Sequence, residues 1–292
     1  MSALSSPPSE SSDPTPPWPY YNGKPGYEFS EKKEDEDDKL GTWRQCDEGY
    51  FQVRGPTYLD DKVKVPSPSP AFQTVSACGI DSSFALSNVS TRLSQLRSYL
   101  ESHPSDEFFI SNRAIPIGSK RFRNVIVVSK RVLDKGVDPI FDFTWEAYKK
   151  GDDKYKDSRM KFIPGLENAP WLLQKSVQIL GGQRPVIMGK GYLRQRHYVG
   201  SNFTEVDVDI SSSAVARKIA GQVLPYAASL RLNILEAFVV EGKTREECPE
   251  RVLEQHQFYA IDTDADSAEL DVEDYDLEGG GEGQGGGEGQ EK

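Results

Sequence analysis

The seven residues from Phe203 to Asp209 alternate so regularly that they fit a β-strand better than anything else. Successive strand side chains point to opposite faces, so Thr204, Val206, Val208 and Ile210 share one side while Phe203, Glu205, Asp207 and Asp209 share the other. One face is apolar and belongs against a core. The other carries three carboxylates that repel one another and need basic neighbours, a cation or water. An acidic ladder matches no ligand-loop spacing, so an exposed or salt-bridged face is expected in preference to a metal site. Arg159 and Lys161 are the expected salt-bridge partners. Ser211, Ser212 and Ser213 then supply N-cap candidates for a helix that starts at Ala214.

Composition divides the 292 residues into three parts. Residues 1–40 are rich in Pro and Ser, carry the run Glu31–Lys39 and hold a net charge of −5. Residues 262–292 hold twelve acids and one Lys, run into Gly repeats and are expected, like 1–40, to be a disordered tail. The part between them, 41–261, has 30 Lys plus Arg against 25 Asp plus Glu, a net of +5. A mildly basic domain with acidic extensions is expected.

Within 41–261 the pattern alternates strands with a few helices. Tyr50–Arg54 reads as a strand closed by Gly55-Pro56, with Tyr58–Val65 as its antiparallel partner and a further strand over Ala71–Ala77. Val89, Leu93, Leu96 and Leu100 form one helical stripe that Pro104 ends. Phe108–Ile115 and Asn124–Val132 read as strands, and Val125–Val128 is apolar on both faces, as in a sheet interior. Phe141–Phe162 reads as two short helices broken at Gly151–Asp153. Trp171–Ile179, Pro185–Val199 and Leu230–Val240 read as strands, and Thr244 with Glu247 fits a capping box. Strands in hairpin-like pairs with few helices predict an α+β domain on a largely antiparallel, curved sheet, whose concave side would leave an apolar space for a ligand.

Signals for chemistry are sparse. Cys46, Cys78 and Cys248 are odd in number and widely spaced, and His103, His197 and His256 lack a metal-ligand spacing. The Gly281–Gly286 match to a dinucleotide pattern follows no strand and lies among acids that would repel phosphate. No secretory leader and no membrane-spanning run is evident. No catalytic residue, cofactor or metal is expected. Lys190, Tyr192, Arg194, Arg196 and Tyr198 share one strand face, and with Lys120, Arg121 and Arg123 they are candidates for anionic headgroups, against the alternative of a solubilised hairpin. Nucleic acid is disfavoured by the acidic ends and the lack of a base-stacking module.

Tyr198, Gly200, Asn202, Glu205–Ile210 and Ser212-Ser213 resemble the C-terminal domain of the plant Enhanced Disease Resistance proteins. Phe51–Lys62, Lys156–Pro164, Pro170–Val177 and Pro249–Leu253 agree with it in the same order. The resemblance implies a domain without assigned biochemistry or catalytic residues. In the plant proteins it partners a phosphoinositide-binding pleckstrin-homology domain and a START-type lipid-binding domain, in proteins that restrain defence-related cell death. The 40 preceding residues are too few for either partner, so a stand-alone copy is expected. The first reading is a non-enzymatic, regulatory binding module for a lipid or anionic membrane surface, cytoplasmic and peripheral to a membrane. The second is a protein-interaction scaffold whose acidic tail folds back on the basic face, and the third a metal-assisted hydrolase using the acidic strand.

Overall fold

A computed structural model describes residues 41–117, 120–171, 173, 175, 193–227, 229–261 and 268–277, with the backbone of short strand segments at Tyr20–Tyr21, Lys24–Pro25, Ser30–Glu31 and Val186–Ile187. The chain forms two six-stranded sheets packed face to face. Sheet I runs in the order Val186–Ile187, β7 (Met160–Glu167), β10 (Asn233–Val240), β11 (Val252–Tyr259), β1 (Thr42–Gln45) and Ser30–Glu31. Sheet II runs in the order β8 (Arg194–Val199), β9 (Phe203–Asp209), β5 (Phe108–Pro116), β6 (Phe122–Arg131), β4 (Phe72–Ser82) and β12 (Ala268–Glu269). Most neighbours are antiparallel, as expected for this α+β class; β9 with β5, β12 with β4 and Ser30–Glu31 with β1 are parallel.

Side-chain alternation assigns each face. On β5, Phe109 points toward sheet I and joins Phe72, Phe238 and Trp145, while Phe108 and Ile110 point outward to Leu93, Leu96 and Leu100. The predicted helical stripe is therefore real: Val89, Leu93, Leu96 and Leu100 are all buried. Its helix is two, α1 (Val89–Arg92) and α2 (Ser94–Ser102), divided at Leu93, which is extended and bridges Tyr275. The outer face of sheet I is covered by the hairpin of β2 (Gln52–Arg54) and β3 (Lys64–Pro66), through Phe51 and Val53 on Leu235 and Val239. Tyr58–Asp61, expected within the partner strand, is a helical turn.

The remaining helices start where the sequence places caps. Asp138 accepts from the Phe141 N–H at 3.0 Å and Pro139 opens α3 (Pro139–Lys150), where a missing N–H is harmless. Asp152 caps α4 (Asp153–Asp157), and Ser213 caps α5 (Ala214–Val223), which ends before Pro225. Trp171, Leu173 and Lys175, the described residues of the strand expected over Trp171–Ile179, are helical. Their apolar member Leu173 packs on Ile219, Val223 and Ala227 rather than in a sheet.

The expected apolar concavity is occupied. Between the sheets Phe72, Phe109, Phe238 and Trp145 touch edge to face or tilted, with centroids 5.4–6.0 Å apart, so the faces interlock. A crevice beside α3, lined by Phe141, Thr144, Trp145, Val240, Glu247, Pro249, Glu250 and Arg251, encloses about 10 Å³. That holds about one water molecule, not a hydrocarbon chain.

Candidate functional site

The acidic face of β9 is buried. Glu205 is 0% exposed and Asp207 is 6% exposed, beneath the turn that starts α1. Glu205 accepts from the N–H groups of Val89 (2.7 Å) and Ser90 (2.8 Å); Asp207 accepts from the Asn88 N–H and from the Asn112 side-chain amide, both at 3.0 Å. Backbone donors with no helical partner thus meet carboxylates from a strand more than a hundred residues away. Burial, the Glu205 charge and a shared hydrogen bond raise the Asp207 carboxyl well above its ordinary pKa. A second charge is disfavoured beside Glu205 in this buried site, so Asp207 keeps its proton to higher pH than an isolated carboxyl. Asp209 instead turns to Ser211 at the strand end.

Arg159 and Lys161 do not pair with this strand. Arg159 immediately precedes β7 and Lys161 lies in it, in the opposite sheet, where Arg159 binds Glu247 at 2.6 Å and Lys161 binds Glu250 at 2.5 Å. Burial would raise Glu247, but Arg159 and the N–H groups of Lys243 and Thr244 bring it below its ordinary value, and the bond to Thr244 completes the expected capping contact. The salt-bridged reading of the acidic strand fails because the groups lie on different sheets, and backbone N–H groups do the work assigned to cations. The same bonds engage the carboxylates a hydrolase would need. Among the described residues no group of three His, Cys, Asp or Glu is arranged to hold a metal ion.

The basic candidates divide. Lys190 and Tyr192 lie outside the described residues. Arg123 is buried and grips Asp81 with two bonds of 2.8 Å, and Arg121 bridges Asp81 and Glu269, so both are used internally. Tyr198 is half-buried beside Glu205 and Asp207, its phenol pushed up to about 12 by burial and those two charges. Arg194, Arg196 and Lys120 are exposed. Sheet register brings the exposed members together: Arg194 lies opposite Asp209, Asp209 beside Ala114, and Ala114 opposite Asn124 near the start of β6. Arg194 and the segment carrying Lys120 are therefore at one end of sheet II. At that end α5 leaves β9 and presents Arg217 and Lys218 to solvent.

Residues 43–262 match the profile for the C-terminal domain of the protein ENHANCED DISEASE RESISTANCE 2. The chain belongs to that family. Among curated proteins, an Arabidopsis thaliana protein named ENHANCED DISEASE RESISTANCE 2-like is 28% identical over 226 residues, covering 76% of this chain and 29% of the relative. The chain thus spans under a third of the relative's length. No solved structure matches it.

Three features of this family member escaped sequence reasoning. Inside the sandwich, Arg113 of β5 binds Glu236 at 2.7 Å, His256 lies 3.2 Å from the same carboxylate, and Glu254 accepts from Ser111 and Ser129. Burial would raise Glu236, but Arg113 and His256 bring it down. These charges tie the two sheets in register; they sit in runs whose apolar neighbours hide them. Tyr148, His197 and Asp157 form a second chain, at 2.9 and 3.0 Å, linking α3 and α4 to β8, with burial lowering the imidazole. The third is Trp171, 62% exposed, with the Lys175 ammonium 4.6 Å from its ring centroid. Leu173 docks this segment on α5, and the chain just after α5 carries exposed Tyr226 and Leu230.

Proposed function

We propose that this domain is a non-enzymatic binding module for an anionic membrane surface, and that it binds through one end of sheet II together with α5, not through an internal cavity. Arg194, Arg196 and Lys218 form no ion pair among the described residues. Their charge is available to a partner, unlike that of Arg121 and Arg123. Exposed Trp171, Tyr226 and Leu230, in segments that pack on α5 through Leu173, Ala227 and Leu232, supply the aromatic and apolar groups that favour a membrane interface. The observation that carries the reading is the presence of unpaired cations on β8 and α5 beside exposed Trp171, Tyr226 and Leu230 in the segments that pack around α5. Its location on the surface agrees with a filled interior.

Each basic residue held at an anionic surface contributes about 1 kcal/mol, so Arg194→Ala with Lys218→Ala should weaken binding by about 2 kcal/mol, roughly 30-fold. The test is co-sedimentation with vesicles containing about a third phosphatidylserine, beside neutral vesicles, in low and high salt. Binding to charged vesicles alone, weakened by the double variant and by salt, supports the reading. No sedimentation, or equal sedimentation of the variant, overturns it.

A further inference from the structure

Ten residues of the stretch expected to be an acidic tail are docked on the body. Ala268 and Glu269 extend sheet II as β12, parallel to Ile80 and Asp81 of β4, and the Leu270 N–H donates to the Asp81 carbonyl at 2.8 Å. Glu269 reaches Arg121, and Asp274 accepts from Ser94 at 3.2 Å. Tyr275 is 3% exposed among Phe84, Leu86 and Leu93. Its hydroxyl donates to the Ser87 carbonyl at 2.7 Å and accepts from the Ser87 N–H at 3.1 Å, while the Arg92 guanidinium lies 5.7 Å from its ring centroid.

The receptor and its occupant have different origins in the chain. Every receptor residue lies within 43–262, the region that matches the family, whereas 268–277 lies beyond it. One wall of the receptor is held by bonds that do not involve the occupant, since Glu205 and Asp207 hold the Asn88–Ser90 turn next to Ser87 from below. A preformed groove with a sheet edge, a tyrosine pocket and two arginines suits one kind of ligand. We infer that it is a docking site for an extended acidic peptide bearing an apolar residue and a tyrosine five positions apart. Residues 268–277 occupy it in cis as a replaceable ligand. Another segment of that chemistry reaches the groove only when the cis segment leaves.

The link of six residues between Ile261 and Ala268 gives the cis segment an effective concentration of about 1 mM. If the segment binds in trans at about 10 μM, the intact groove should be about 100-fold harder to enter. The test uses the full chain with Leu270→Ser and Tyr275→Ala, which weaken the cis segment, and a fluorescent peptide of residues 266–278, read by anisotropy and accompanied by thermal melts. Expected are binding to the double variant, at least tenfold weaker binding to the wild-type chain, and loss of binding when the peptide itself carries Tyr275→Ala. The inference is overturned if a cooperatively melting double variant does not bind, if both chains bind alike, or if the double variant loses its cooperative melt, since the segment would then be part of the body rather than its ligand.

Discussion

Replacing Asp207 by Asn tests whether the buried carboxylate pair holds a proton. The folded chain keeps the Asp207 proton to higher pH than the unfolded chain, whose ordinary value is 3.8. The stabilisation linked to this proton is therefore complete below about pH 4 and is lost as pH rises through the folded value. While the fold keeps the proton and the unfolded chain has lost it, each pH unit removes about 1.4 kcal/mol. An amide at 207 can donate to Glu205 as the protonated acid does, but it then turns an NH2 toward the Asn88 N–H or the Asn112 amide. The lost acceptor costs about 1–3 kcal/mol in a buried site. The variant should thus be less stable than wild type near pH 4, but the gap should shrink by up to about 1.4 kcal/mol per unit and close within roughly one to two units. Urea unfolding from pH 4 to 8.5, analysed with a common m-value, reads both curves. Parallel curves with a constant offset would refute the retained proton.

Two further outcomes follow from the same physics. Glu205→Ala leaves the Val89 and Ser90 N–H groups buried without acceptors, a loss of about 2–6 kcal/mol at about 1–3 each; a urea midpoint shift worth under about 1 kcal/mol would mean that the turn finds other partners. Glu107 is raised by burial but brought down to about 2 by Lys149, Trp145 and Arg131. Its contribution is complete above its ordinary value of 4.5 and is lost as pH falls toward about 2, so Glu107→Gln should flatten that limb of the stability profile and lower stability above it; an unchanged acid limb counts against the ionic cluster.

Much of the architecture was legible because it rests on short-range periodicity. The strand at Phe203–Asp209, the stripe Val89–Leu93–Leu96–Leu100 and the cap at Ser213 all follow from how neighbouring residues share a face or end a helix. The candidate surface was half legible. The run from Lys190 to Tyr198 pointed to Arg194 and Arg196, but Arg121 and Arg123, equally basic, are consumed by Asp81 and Glu269. Trp171 and Lys175 read as strand because the packing partner of their segment, α5, lies some fifty residues on.

Alternation alone determined which side chains of β9 share a face, and the apolar run at Val125–Val128 determined that its strand lies inside a sheet. What covers each face was decided only by the tertiary structure. The carboxylates of Glu205 and Asp207 meet N–H groups more than a hundred residues earlier, and Tyr275, in a stretch whose composition reads as tail, bridges the extended Leu93 between α1 and α2. Periodicity is written by covalent geometry into adjacent residues. Burial and charge compensation depend on which distant groups arrive, and no local pattern encodes their arrival.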